Sequence, residues 1–171
     1  TDNVFTDKKY LHVEMTYSGI SGGATDAILR IGRGTTSSSG YYNRVSNNQA
    51  TDTTADTTSW YNNVCWAGHT GVDTWHYSSF DIINASGTNK MVNGWCMRTG
   101  STGNASSLPS MVEATGTWTG TDQINRIELT GSGGNGKYAS GSTITVWGAD
   151  DDAIVDEKTT ITDVPVGTRY E

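Results

Sequence analysis

The chain has 171 residues, a formal charge of −7, 34% apolar residues and 17% charged residues. Gly (21), Thr (27), Ser (17) and Asn (12) together make up close to half of it. This composition excludes long helices, which need Ala, Leu, Glu, Lys and Arg. No run approaches the ~18 apolar residues of a membrane span, and 11 basic residues against 18 acidic ones make a poor nucleic-acid binder. Six Trp, eight Tyr and many β-branched residues give a core enough to bury, which argues against disorder. One β-rich domain remains.

Period-2 alternation marks the strands in chain order. From Tyr10 to Tyr17, Leu11, Val13, Met15 and Tyr17 share one face, with Tyr10, His12, Glu14 and Thr16 opposite. Gly19, Gly22 and Gly23 predict a turn, then a strand over Asp26 to Gly32. A Ser/Thr/Gly loop spans Gly34 to Gly40 and a short strand Tyr41 to Ser46. Asn47 to Ser59 has no aliphatic residue larger than Ala and reads as an exposed loop. Trp60 to Trp66 and Trp75 to Asn84 read as strands around the Gly68–Gly71 turn, followed by Lys90 to Arg98. A polar loop from Thr99 to Ser107 precedes Ser110 to Trp118. Gln123 to Thr130 and Ser142 to Trp147 form the last clear pair, around a glycine-rich turn at Gly131 to Gly136. Ala153 to Thr162 is one more candidate strand.

About eight to ten short strands with regular turn signals predict an all-β fold, an antiparallel β-sandwich of the jelly-roll type. The domain is expected over residues 1–149, with 150–171 as an acidic C-terminal extension, either an extra strand or a junction to a further segment. Thr1 carries no signal-peptide or lipidation pattern, consistent with a processed or demethionylated protein and equally with a fragment.

Cys65 and Cys96 each sit beside a tryptophan. They read either as an inter-strand disulfide or, the preferred reading, as two buried free thiols. Asn84-Ala-Ser86 and Asn104-Ala-Ser106 are sequons that matter only in a glycosylating compartment. His69, Asp73 and His76 fall close together, but their spacing matches no zinc pattern. Asp150, Asp151 and Asp152, with Asp156 and Glu157, offer hard oxygen ligands for calcium without an EF-hand pattern, and read more simply as a solvated acidic run. No metal and no cofactor is therefore expected. Catalysis is weakly signalled: Asp81 and Glu128 are strand acids that a glycosidase or lyase could use only at a defined separation. The chain is read as not an enzyme.

The aromatic set Trp60, Tyr61, Trp66, Trp75, Tyr77 and Trp95 admits two readings. With only two Phe, the tryptophans serve to fill the core. Alternatively, Trp60, Tyr61, Trp75 and Trp95 stack on sugar rings as part of a carbohydrate-binding module or receptor-binding domain.

Two runs then stand out: Trp118-Thr-Gly-Thr-Asp-Gln-Ile-Asn-Arg-Ile-Glu-Leu129, and Gly136-Lys-Tyr-Ala-Ser-Gly-Ser-Thr-Ile-Thr-Val-Trp-Gly148. Ile124, Ile127 and Leu129, then Tyr138, Gly141, Ser142, Val146, Trp147 and Gly148, resemble a pattern of structural proteins of tailed phages. Trp147 and Tyr138 stand where that pattern more usually has Tyr and Phe. The resemblance loosely covers residues 8–148. It implies a non-enzymatic jelly-roll component of a bacteriophage virion, a capsid decoration (cement) protein or a head or tail fibre protein, at the virion surface. Its implied partners are capsid or fibre subunits of the same particle and copies of itself, a trimer being favoured. Surface glycans are further candidate partners; nucleic acid and membrane are not expected.

Overall fold

The computed structural model describes residues 7–18, 20–21, 27–37, 39–47, 53–57, 75–98, 110–131, 137–138 and 140–151. The fold is all-β and antiparallel throughout, and sandwich-like. Its strands are β1 (Tyr10–Ser18), β2 (Ile20–Ser21), β3 (Ala27–Arg33), β4 (Thr35–Thr36), β5 (Tyr41–Asn47), β6 (Thr53–Thr57), β7 (Trp75–Ile83), β8 (Lys90–Arg98), β9 (Ser110–Trp118), β10 (Arg126–Gly131), β11 (Lys137–Tyr138) and β12 (Thr143–Ala149). A seven-stranded sheet runs β12-β1-β7-β8-β9-β5-β6. A three-stranded sheet runs β10-β3-β4, and β11 pairs with β2 as a short ribbon.

The pairings are nested. First pairs with last (β1 with β12), then β2 with β11, β3 with β10, and β5 with β9. One long antiparallel ribbon thus leaves the large sheet, crosses the small one and returns. That wrapping is how a jelly roll buries both strands of a ribbon in one core. β6, β7 and β8 fill the large sheet from the middle of the chain.

The alternation seen in the sequence sets the core. Leu11, Val13, Met15 and Tyr17 of β1 are buried. They join Phe80 and Ile82 of β7, Val92 and Cys96 of β8, Val112, Ala114 and Trp118 of β9, and Tyr41 and Val45 of β5. Leu29, Ile31 and Ile127 of the small sheet, with Ile124, belong to the same cluster, and Tyr138, Ile144 and Val146 pack against it. Gly94 shows how tight this layer is. It lies opposite Phe80, and a Cβ there would stand 2.3 Å from both the Phe80 ring and the Ser79 carbonyl oxygen. The missing side chain is what lets the ring lie down. Tyr41 ties the sheets together: its hydroxyl accepts from the Ile31 N–H and donates to the Ile31 carbonyl, both at 3.0 Å. Burial pushes its pKa up to about 12, against the lowering effect of the backbone hydrogen bond.

One end of the sandwich is closed by buried polar groups. The Asn84 side chain donates to the Lys8 carbonyl (2.7 Å) and the Ile124 carbonyl (2.9 Å), and accepts from the Ile124 N–H (2.7 Å). The Lys90 ammonium is buried as well and donates to the carbonyls of Ala85, Thr88 and Thr121. Burial lowers its pKa, and Asp122 partly restores it.

Several expectations change. Thr53–Thr57, inside the stretch read as a loop, forms β6 and pairs with β5 from Tyr41↔Thr57 to Val45↔Thr53. An edge strand needs backbone partners and β-branched residues more than an apolar face, and Thr supplies the latter. The sequon at Asn84 is structural, because both atoms of its buried amide are hydrogen-bonded within the fold. Cys96 faces the core and is disulfide-bonded, which corrects the free-thiol reading. Burial signalled its packing but could not signal its covalent state. Asp150 and Asp151 are not merely solvated. Asp150 accepts from the Lys8 ammonium at 2.8 Å and the Lys9 N–H at 3.0 Å, and Asp151 pairs with the Lys9 ammonium and the Tyr10 hydroxyl. The predicted strands Trp60 to Trp66 and Ala153 to Thr162, the loop Thr99 to Ser107, Cys65 and Asn104 lie outside the described residues.

Candidate binding face

The same alternation that fills the core presents a second set of side chains outward from the large sheet. The register places these in cross-strand rows running from β12 to β5. The first row is Ala149, Tyr10, Ile83, Met91, Thr117, Tyr42. The second is Trp147, His12, Asp81, Asn93, Thr115, Arg44. The third is Thr145, Glu14, Ser79, Trp95, Glu113, Ser46, and a fourth begins Thr143, Thr16, Tyr77, Met97. Trp75 stands beyond them, opposite Ser18.

A solvent face of an antiparallel sheet is ordinarily polar. This one carries every exposed large hydrophobic side chain among the described residues: Tyr42, Trp75, Ile83, Met91, Met97 and Trp147, each between 38% and 54% exposed. Its surface is furrowed. A hollow of about 560 Å³ is lined by Tyr42, Arg44, Asp81, Ile83, Met91 and Asn93. Asp81 and Ile83 continue it into a second hollow of about 350 Å³ beside Tyr10, His12 and Trp147. A third, of about 410 Å³, opens from Arg44 and Asn93 toward Trp95 and Glu113.

His12 is the centre of the polar groups. Its Nδ1 is 2.7 Å from Asp81 and its Nε2 is 3.5 Å from Glu14, while its ring leans on Trp147 with centroids 5.5 Å apart. Partial burial pulls its pKa down, but the hydrogen bonds to Asp81 and Glu14 outweigh this and leave it raised. The cluster therefore sets the His12 ring between Asp81, Glu14 and the Trp147 indole.

Of the aromatics proposed from sequence, Trp75 is exposed and Trp95 half-buried, both on this face, with Trp95 tilted against Tyr77 at 5.4 Å. Both stand outside the core, so the core-filling reading fails for them; among the described tryptophans, Trp118 is the buried one. The structure does not gather Trp75 and Trp95 into one platform, because they stand in different rows of different strands. Trp60 and Tyr61 lie outside the described residues. The residues missed from sequence are Tyr42, Met91 and Trp147. The signal was present, since Tyr42 and Met91 alternate with buried neighbours and Trp147 with the half-buried Val146.

The other candidate constellations do not assemble. His76 is buried and stacks parallel on Tyr17 at 4.8 Å, and His69 and Asp73 lie outside the described residues. Among the described residues no group of three or more His, Cys, Asp or Glu converges as a metal site. Asp81 belongs to the large sheet, whereas Glu128 belongs to the small one and accepts from the Thr36 hydroxyl at 2.6 Å. They do not share a groove. No helix among the described residues is long and apolar enough to cross a membrane.

Compared with protein-family models, with curated proteins and with solved structures, the chain matches none. Fold and face together describe an all-β, antiparallel, sandwich-like protein whose large sheet carries exposed apolar side chains and hollows on its outer face.

Proposed function

We propose that the chain is a non-enzymatic structural component of a phage virion, a capsid decoration or fibre protein, and that it works by contact through the outer face of its seven-stranded sheet. One observation carries the contact reading: six large apolar side chains stand exposed on that face, four of them, Tyr42, Met91, Ile83 and Trp147, in its first two rows. Concentrated apolar surface of this kind marks interaction sites on soluble proteins. The virion setting is supported by the sequence resemblance at residues 118–148. The disulfide at Cys96 fits it too, since disulfides persist in oxidising surroundings such as a particle surface. Capsid or fibre subunits and further copies of the chain are the partners, with a trimer favoured for a protein seated on symmetry axes.

Electron microscopy of purified particles tests this reading, with the chain labelled by antibody. The protein is expected on the particle surface, and Met91→Glu is expected to release it while leaving it folded. Absence from particles and filaments would overturn the assignment. The furrow favours a second reading, a carbohydrate-binding or receptor-binding domain, because it pairs aromatic and methyl surface with hydrogen-bonding side chains.

A further inference from the structure

We infer that the furrow formed by the first two outer rows is a binding site for a linear, uncharged oligosaccharide. The inference rests on the carbohydrate reading and names its site, which differs from the tryptophan set expected from sequence.

The furrow crosses β5, β9, β8, β7, β1 and β12. Five strand spacings give it a length of roughly 24 Å. A ligand lying along it must be elongated.

The two rows have different chemistry. The first offers Tyr10, Ile83, Met91, Thr117 and Tyr42, a largely apolar strip with an aromatic ring toward each end. The second offers the acceptor Asp81, the donor Arg44 and, between them, Asn93 and Thr115, which both donate and accept, and runs through His12 to the Trp147 indole. The ligand must therefore carry an apolar face beside a hydroxyl-rich edge along its whole length. Pyranose rings have this division: axial C–H groups cover one face and hydroxyls project from the rim.

Other ligands fit less well. A peptide strand adds to a free sheet edge by backbone hydrogen bonds, whereas β5, β9, β8, β7 and β1 under this furrow are already paired on both sides. A nucleic acid needs a row of cations, and here the two rows hold one arginine, Arg44, three strands from Asp81, on a chain of net charge −7. Neither sign of charge runs along the two rows, so the sugar is uncharged. The combined hollows lie in the usual size range of ligand sites.

The test uses the full chain with cellulose, xylan, mannan and chitin oligosaccharides as probes, and an alginate oligosaccharide as the anionic comparison. Tryptophan fluorescence and calorimetry read the binding. At least one neutral probe is expected to bind, with affinity lowered about tenfold by Tyr42→Ala and by Trp147→Ala. Thr145→Ala, on the same face of β12 but in the third row, is expected to leave affinity unchanged. Circular dichroism of each variant separates lost binding from lost fold. Binding that ignores Tyr42→Ala and Trp147→Ala, a preference for alginate, or no binding to any neutral probe overturns the inference. If no sugar binds while Met91→Glu still releases the protein from particles, the sugar site fails and the contact reading stands. If Met91→Glu also leaves attachment unchanged, both fail.

Discussion

The two faces of the seven-stranded sheet are built from alternate residues of the same strands, and both carry large apolar side chains, but they answer to different constraints. On the inner face, each side chain is sized by its neighbours: Phe80 lies against Gly94, and Met15 stands opposite Ser78. On the outer face, Met91, Ile83 and Tyr42 stand together without closing over one another. A core explains the first arrangement. Nothing in the packing among the described residues requires the second, since exposed methionine and tryptophan contribute little to stability while in water. On the function proposed above, the contrast assigns the outer apolar residues to contact and the inner ones to folding.

The sharpest way to break this contrast is to cut each face in turn. Phe80→Ala removes a fully buried ring over a position with no side chain to collapse into the gap. A loss of about 4 kcal/mol is expected in urea unfolding. A cost below about 1 kcal/mol would mean that the inner face is not the core. Next in size is the polar closure at the end of the sandwich. Asn84→Ala leaves the Lys8 and Ile124 backbone groups unsatisfied in a dry environment, with an expected loss of about 3 kcal/mol.

A smaller effect concerns pH. The folded pKa of His12 is raised above its ordinary 6.5. Its contribution to stability is therefore fully present below that value and lost as pH rises through the folded pKa. With the side chain 39% exposed, solvent screening keeps this contribution small. NMR titration of the His12 ring reads the shift directly, and Asp81→Asn should move it down. Asp150 and Asp151 run the other way. Lysine hydrogen bonds depress their pKa values, so their contribution is present above the ordinary carboxylate range and lost as pH falls through the folded values. Last comes Met91→Thr on the outer face, expected to change unfolding free energy by less than about 0.5 kcal/mol. A large loss there would turn the outer face into a second core surface and remove the ground for the contact reading.

Much of the fold is legible in the sequence for a physical reason: one buried face forces period 2. Leu11, Val13, Met15 and Tyr17 mark the inner face of β1 by their spacing, and Ile144 and Val146 do the same for β12. β6 is not legible, because a threonine-rich edge strand lacks an apolar signature. Nor are β2, β4 and β11, two-residue strands that exist only because their partners reach them. The site is half legible. Trp147 can be assigned to the outer side of β12 by alternation alone. That it meets His12, and that His12 meets Asp81, depends on two pairings between strands distant in sequence.

The sequence by itself determined the secondary-structure class, the strand faces and the low-charge, polar-loop surface, because alternation and composition act locally. Only the tertiary structure decided which strands became neighbours, and therefore that Tyr42, Met91, Ile83, Tyr10 and Trp147 form one furrow. It also decided that Asn84 and Lys90 are internal braces and not surface groups. These are consequences of register and burial. Both are set when distant segments pair, and no single segment encodes them.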